Sequence, residues 1–175
     1  MSLAKSLFDE FEVQAPITRK FLDRLPEDKL TWKPHAKSMS AGQLALHLAR
    51  VPGGVIRAVQ QDSMPAPDFG NIPQPSSRQE ILSTFEESVA AVRNLLPQLD
   101  DARMLETWRM LKGSQEVMAM PREQFVRNIM LNHWYQHRGQ FSVYLRLLGV
   151  AVPSSWGPSA DEAPAFMPKQ QSAYK

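Results

Sequence analysis

The apolar positions of this chain recur at helical spacing over four stretches, separated by proline-rich connectors. Leu7, Phe11, Phe21, Leu22 and Leu25 supply much of the apolar surface of a first helix running from Leu3 to about Leu25. Pro16 is expected to kink or split it, because proline removes a backbone donor and its ring clashes with the preceding turn. Pro26-Glu27-Asp28-Lys29 starts a short helical turn, and Pro34 biases Lys33 toward extended backbone, which makes a connector there. Ser40 is placed to cap a second helix that passes through His47 toward Gln61. Pro52-Gly53-Gly54 should bend this helix rather than stop it, since Val55, Ile56 and Val59 resume the pattern. Residues 62–77 carry Pro65, Pro67, Pro73 and Pro75 and read as a long irregular crossover.

Ser76 or Ser77 opens a third helix, with Glu80 near its first turn and Ile81, Phe85, Val89, Val92 and Leu96 at a 3–4 spacing. Thr107–Leu111 and Glu116–Met120 flank Lys112-Gly113-Ser114 and predict a small β-hairpin near 105–120. Pro121, as first helical residue, begins a fourth helix that Gly149 ends. On an α-helical projection, Val126, Met130, Tyr144 and Leu148 fall on nearly the same side as His133 and His137. The fold class predicted is all-α, with residues 1–150 forming the bundle. Residues 151–175, with Pro153, Pro158, Pro164 and Pro168, form a tail expected to pack on it and to be partly disordered.

Composition narrows the function. The 175 residues suit one domain with a substantial core. A net charge of +2 with scattered basic residues lacks the clustered basic face of a nucleic-acid binder. With no cysteine, disulfides, thiolate metal sites and a cysteine nucleophile are excluded. No apolar run approaches bilayer length, and Asp9, Glu10 and Glu12 arrive too early for a secretory leader, so a cytoplasmic address without membrane attachment is expected.

The chemistry resides in the histidines. His133 and His137 are one helical turn apart and can converge on one ion, and His47 shares a face of the second helix with Leu44, Val51 and Ala58. A single histidine on an apolar face is more often a hydrogen-bonded core residue, and a pair can be two half-buried rings. Three imidazoles buried without partners are costly, and coordination removes that penalty. Neutral imidazole suits zinc, nickel, cobalt, copper or iron(II). Trp134 occupies the position where a zinc protease needs glutamate, and no glycine-rich phosphate loop or nucleophile elbow is present.

Other candidates are weaker. His35, in the connector, reads as a surface residue with a pocket-mouth role as the alternative, and it is the one residue that would raise the ligand count to four. Asn132 and Gln136 flank the pair and could orient an imidazole or a substrate. Tyr144 reads as core, or as a pocket hydroxyl. Arg138 could pair with Asp161 or Glu162 and pin the tail. Trp32, Trp108, Trp134 and Trp156 read as core or wall residues.

An ordered set of short segments resembles the DinB/YfiT family of metal-dependent enzymes over nearly the whole chain. They are Leu30-Thr31-Trp32-Lys33-Pro34-His35, Lys37-Ser38-Met39-Ser40 running to His47, Met120-Pro121-Arg122, Asn132-His133 with His137-Arg138-Gly139-Gln140, Tyr144–Gly149, and Gly157–Glu162. The resemblance implies a four-helix bundle with long crossovers and an up-down-down-up course, and frequent homodimerisation. It also implies a divalent metal held by His47, His133 and His137, most often nickel or zinc, with iron, cobalt, manganese or copper as other occupants. Many relatives have histidine where this chain has Gln136. Characterised relatives include thiol transferases and isomerases using low-molecular-weight thiols such as bacillithiol or mycothiol, and some members belong to a DNA-damage stress response. The function this implies is activation of a small-molecule thiol at the metal. Metal-assisted hydrolysis, or a non-catalytic metal-binding or dimeric stress-response module, are the alternatives.

Overall fold

The computed structural model describes residues 2–68 and 70–164. The last residues of the tail, expected to be disordered, lie outside them. The bundle is built from α1 (Leu3–Asp23), α2 (Ala41–Ala58), α3 (Arg78–Leu95) and a composite fourth helix. That fourth helix consists of α5 (Arg122–Phe125), a π-helical segment (Val126–Asn132) and α6 (His133–Leu147), with the short α4 (Asp101–Leu105) lying earlier in the chain. Local signals set most of the boundaries. Ser2 and Ser77 accept from the amides of Lys5 and Glu80 at the starts of α1 and α3. Ser40 and Gln43 form a reciprocal capping box on α2. At the end of α6, Gly149 adopts φ 72°, and the Val150 and Gly149 amides donate to the Leu145 and Arg146 carbonyls in a Schellman motif.

Pro16 does not split α1, and Pro52 leaves α2 continuous. A proline at 52 has no N–H for the carbonyl of Leu48. The indole Nε1 of Trp134 supplies it instead, donating to that carbonyl at 2.8 Å from inside the core. The same economy operates at the other end of α2. Trp108 Nε1 donates to the Ala58 carbonyl, Arg122 to those of Val59 and Gln61, and Arg103 to that of Gln60. Side chains from the next part of the fold thereby hold the last carbonyl of α2 and those of the three residues that follow it. Gly53 lets α3 approach α2 closely, because a Cβ there would lie 2.8 Å from the Cα of Ser88.

The predicted hairpin is present as β2 (Thr107–Lys112) and β3 (Gln115–Pro121), with Gly113 at φ 61° in the turn. The crossover expected to be irregular contributes a strand, β1 (Ser63–Pro65), which pairs parallel with β2 to give the sheet order β1-β2-β3. Pro121 is the N-cap of α5 and the last residue of β3, one position earlier than predicted. The domain is predominantly helical, as expected, with this small sheet joined to the C-terminal end of α2 through Trp108 and facing α2 across a cavity.

The core is continuous from Leu7 and Phe11 on α1 through Leu44 and Leu48 on α2 to Phe85 on α3 and Trp134 on α6. Phe11 and Phe85 stack against Trp134 at ring separations of 5.6 and 6.4 Å. Trp108 and Trp134 are fully buried, whereas Trp156 is 60% exposed and is not the wall residue expected. The pairing of the tail also differs from expectation. Arg146 holds Asp161 and Arg24 holds Glu162, while Arg138 is buried against α1, donating to Thr18 Oγ1 and lying over the Tyr135 ring. Its guanidinium is taken up by Thr18 and Tyr135, which leaves the tail's carboxylates to Arg146 and Arg24.

Candidate metal centre

The π-helical segment decides what faces the site. Its last turn ends where the His133 amide donates to the Asn128 carbonyl, five residues back. These wider turns shift the register relative to an α-helical projection. Phe125 and Ile129, not Val126 and Met130, therefore share the cavity side with His133; Val126 and Met130 are fully buried elsewhere in the core. Single π turns often mark functional positions, and this one immediately precedes the histidine pair.

His47 from α2 and His133 and His137 from α6 come together. One ring nitrogen from each can be chosen so that all lie within 4.8 Å of one another. His47 Nε2 and His133 Nε2 are 2.9 Å apart, and the three ring centroids are separated by 5.2, 4.7 and 4.4 Å at interplanar angles of 80° to 86°. Two nitrogens bound tetrahedrally to one zinc at 2.0–2.1 Å sit about 3.3 Å apart, so modest rotation of the rings accommodates an ion. Burial, with the neighbouring His137, His133 and Arg50, pulls the His47 pKa down from 6.5 to about 4. Burial and His137 lower that of His133 as well. Both are therefore neutral near pH 7, the form that ligates metals.

A residue that sequence reasoning overlooked completes the arrangement. His137 Nδ1 lies 2.9 Å from Gln140 Oε1. An amide oxygen only accepts, so the His137 ring carries its proton on Nδ1 and presents the Nε2 lone pair. The signal was available: Gln140 follows His137 by three residues and shares its helix face. Such outer partners fix ring orientation, and Gln140→Ala is expected to weaken metal affinity about 10- to 100-fold. A competition titration against a chelator measures this.

The depressed His47 pKa has a second consequence. As pH falls from about 6.5 toward 4, the unfolded chain takes up a proton here that the folded chain refuses. Metal-free protein should lose stability through that window, and His47→Gln should lose less. The check is Tm against pH for both proteins; parallel curves would contradict it.

The remaining candidates do not join the trio. His35 is exposed, its Nδ1 accepting from the Lys37 amide at 3.2 Å. Gln136 and Asn132 are exposed, and Asn132 contacts Asn128. Tyr144 is a core residue, 3% exposed, donating to the Met39 carbonyl and packing edge-on against Trp32.

Beside the trio lies an open cavity of about 990 Å³, bordered by α2, the sheet and the start of the composite helix. His47 and His133 form part of its wall, and most of the rest is apolar, including Val51 and Val55 of α2 and Phe125 and Ile129. Among the described residues no helix is long and apolar enough to cross a membrane.

The family model described as "DinB family" matches residues 1–169. The chain belongs to the DinB family. Uncharacterized protein YrdA of Bacillus subtilis (strain 168) is 28% identical over 158 residues, covering 89% of each chain. A crystal structure of a DinB-like protein from Bacillus cereus ATCC 10987 superposes with TM-score 0.70 at 21% identity, covering 87% of this chain and 97% of that one. The DinB-like protein YjoA of Bacillus subtilis gives 0.63 at 18% identity, covering 85% and 96%. At these identities the solved structures bear on the fold alone. What DinB membership and the geometry give together is a helical domain whose three-histidine group is compatible with a divalent metal site.

Proposed function

We propose that this DinB-family chain is a metal-dependent enzyme that activates a small-molecule thiol at the three-histidine centre and transfers it to an electrophile. The observation that carries the reading is the convergence of His47, His133 and His137, two of which, His47 and His133, also line a large, mostly apolar cavity. Three protein ligands leave positions for an exogenous donor, the pattern of catalytic rather than structural sites. A divalent ion there, nickel or zinc first among candidates, supplies a Lewis acid that lowers the pKa of a coordinated thiol or water. The chain's own residues do the rest. His47 and His133 stay neutral through burial, Gln140 holds the His137 tautomer, and the mostly apolar lining offers a surface for the apolar part of a reacting partner.

The sulfur must arrive as a cosubstrate, because the sequence has no cysteine. Thiol transfer is favoured over hydrolysis because the acidic residue on the cavity lining, Asp68, is engaged by the Gly70 amide at 2.9 Å in a local turn. Asp68 lies on the crossover rather than on α2 or the composite helix, whose residues on the cavity lining include no carboxylate to act as a general base for water. The test is consumption of a panel of low-molecular-weight thiols, with an electrophile, by protein loaded with nickel or zinc. Metal-dependent consumption that His47→Ala abolishes supports the proposal. Turnover of esters or amides without thiol would replace it with hydrolysis.

A further inference from the structure

The sheet carries a feature that the metal centre does not explain. Its register places Met64 of β1 opposite Met110 of β2, and Met110 opposite Met118 of β3. Lateral neighbours in a sheet project on the same side, so three thioethers form one row across all three strands. All three line the cavity that contains His47 and His133. Met110 is 9% exposed, and Met64 and Met118 are partly buried against the core. Methionine is unbranched and polarizable, and a surface built from it adapts to apolar molecules of varied shape.

The cavity's size points the same way. At about 990 Å³ it lies at the upper end of pockets that enclose drug-sized ligands, well beyond what a single thiol group or bound water needs. The charged side chains on its lining are Asp68 and Lys112, from the crossover and the end of β2. A mostly apolar cleft with imidazole nitrogens in one wall matches a particular ligand chemistry: a hydrocarbon body with a polar, donor-bearing head.

We propose that the Met64-Met110-Met118 row is the floor of a binding site for the hydrocarbon body of an amphipathic substrate whose head group meets the three-histidine centre. This rests on the metal-enzyme reading for its head-group half only. The substrate class is a medium-length alkyl or acyl compound with a reactive polar terminus.

The experiment has two arms. First, alkyl hydroxamates from acetohydroxamate to decanohydroxamate are titrated calorimetrically into zinc-loaded protein. Kd is expected to fall about fourfold per added methylene until the cavity is filled. Met118→Glu should flatten the series, so that Kd no longer falls with each added methylene. Second, metal-free protein labelled with 13C at its methionine methyls is titrated with 1-octanol. Shifts are expected at Met64, Met110 and Met118 and not at the other methionines. Tight acetohydroxamate binding with no dependence on chain length, or octanol shifts away from the row, would overturn this inference and leave the metal centre standing. Octanol shifts at the row in a protein that takes up no zinc would instead defeat the metal reading and preserve the apolar site.

Discussion

Arg122→Ala is expected to destabilise the protein by about 3 kcal/mol or more, enough to leave it partly unfolded at ambient temperature. The side chain is fully buried. Its Nε and Nη2 donate to the Val59 and Gln61 carbonyls at 2.9 and 3.1 Å, and its Nη1 to the Glu106 carbonyl at 3.3 Å. Asp62 and Glu106 provide the opposing charge, at 2.6 and 3.3 Å. Truncation loosens the end of α2 and the α4–β2 junction together, because the buried Val59 carbonyl loses its donor and the Gln61 and Glu106 carbonyls lose the guanidinium that ties them to it. Arg122→Met keeps the volume but not the donors and should be nearly as damaging, which separates lost hydrogen bonds from lost packing. Urea denaturation of the metal-free proteins provides the measurement. A loss under 1 kcal/mol for both variants would show that these bonds are dispensable.

The second large effect falls on metal affinity and spares the fold. His47→Ala removes one of three converging nitrogens, and affinity for zinc or cobalt should fall by more than about a hundredfold, beyond the loss produced by an outer partner such as Gln140. His133→Ala should behave alike, and His35→Ala should bind as the parent does, because His35 is exposed and occupied by the Lys37 amide. The metal-free His47→Ala protein should remain folded, since the ring is only half-buried and its removal relieves the desolvation that depresses its pKa. Competition with a chromophoric chelator distinguishes these outcomes. Equal affinity in the parent and in the His47 and His133 variants would mean that the metal binds elsewhere.

The parts of this fold legible in the sequence are those whose cause is local. The Ser40 cap of α2, the Gly149 helix stop and the Gly113-containing hairpin are each specified within a few residues, and all three are present. The histidine trio was legible for a related reason. Two members are a turn apart on one helix, and the third lies on the apolar face of a helix that has to pack against it. β1 was not legible, because Ser63-Met64-Pro65 carries no strand signal of its own. It forms because the crossover passes beside β2, where the Ala66 amide donates to the Leu111 carbonyl and the Arg109 amide to that of Asp62.

The π-helical segment was hidden for a different reason. Nothing in Val126–Asn132 departs from a helical pattern, and the wider turns show only in the backbone bonds. Their effect is a one-residue change in what faces the cavity, from Val126 and Met130 to Phe125 and Ile129. Arg138 shows the corresponding limit for charges. Any of several arginines could reach the acidic pair at 161 and 162, and tertiary packing, not composition, assigns them to Arg146 and Arg24.

The most direct test of the central claim is X-ray absorption spectroscopy of protein purified without an affinity tag and loaded with one equivalent of zinc or nickel. Three imidazole ligands, with one or two lighter oxygen or nitrogen donors that a small thiol replaces by sulfur, is the predicted result. A sphere closed by four protein ligands, or one holding fewer than three imidazoles, would contradict it.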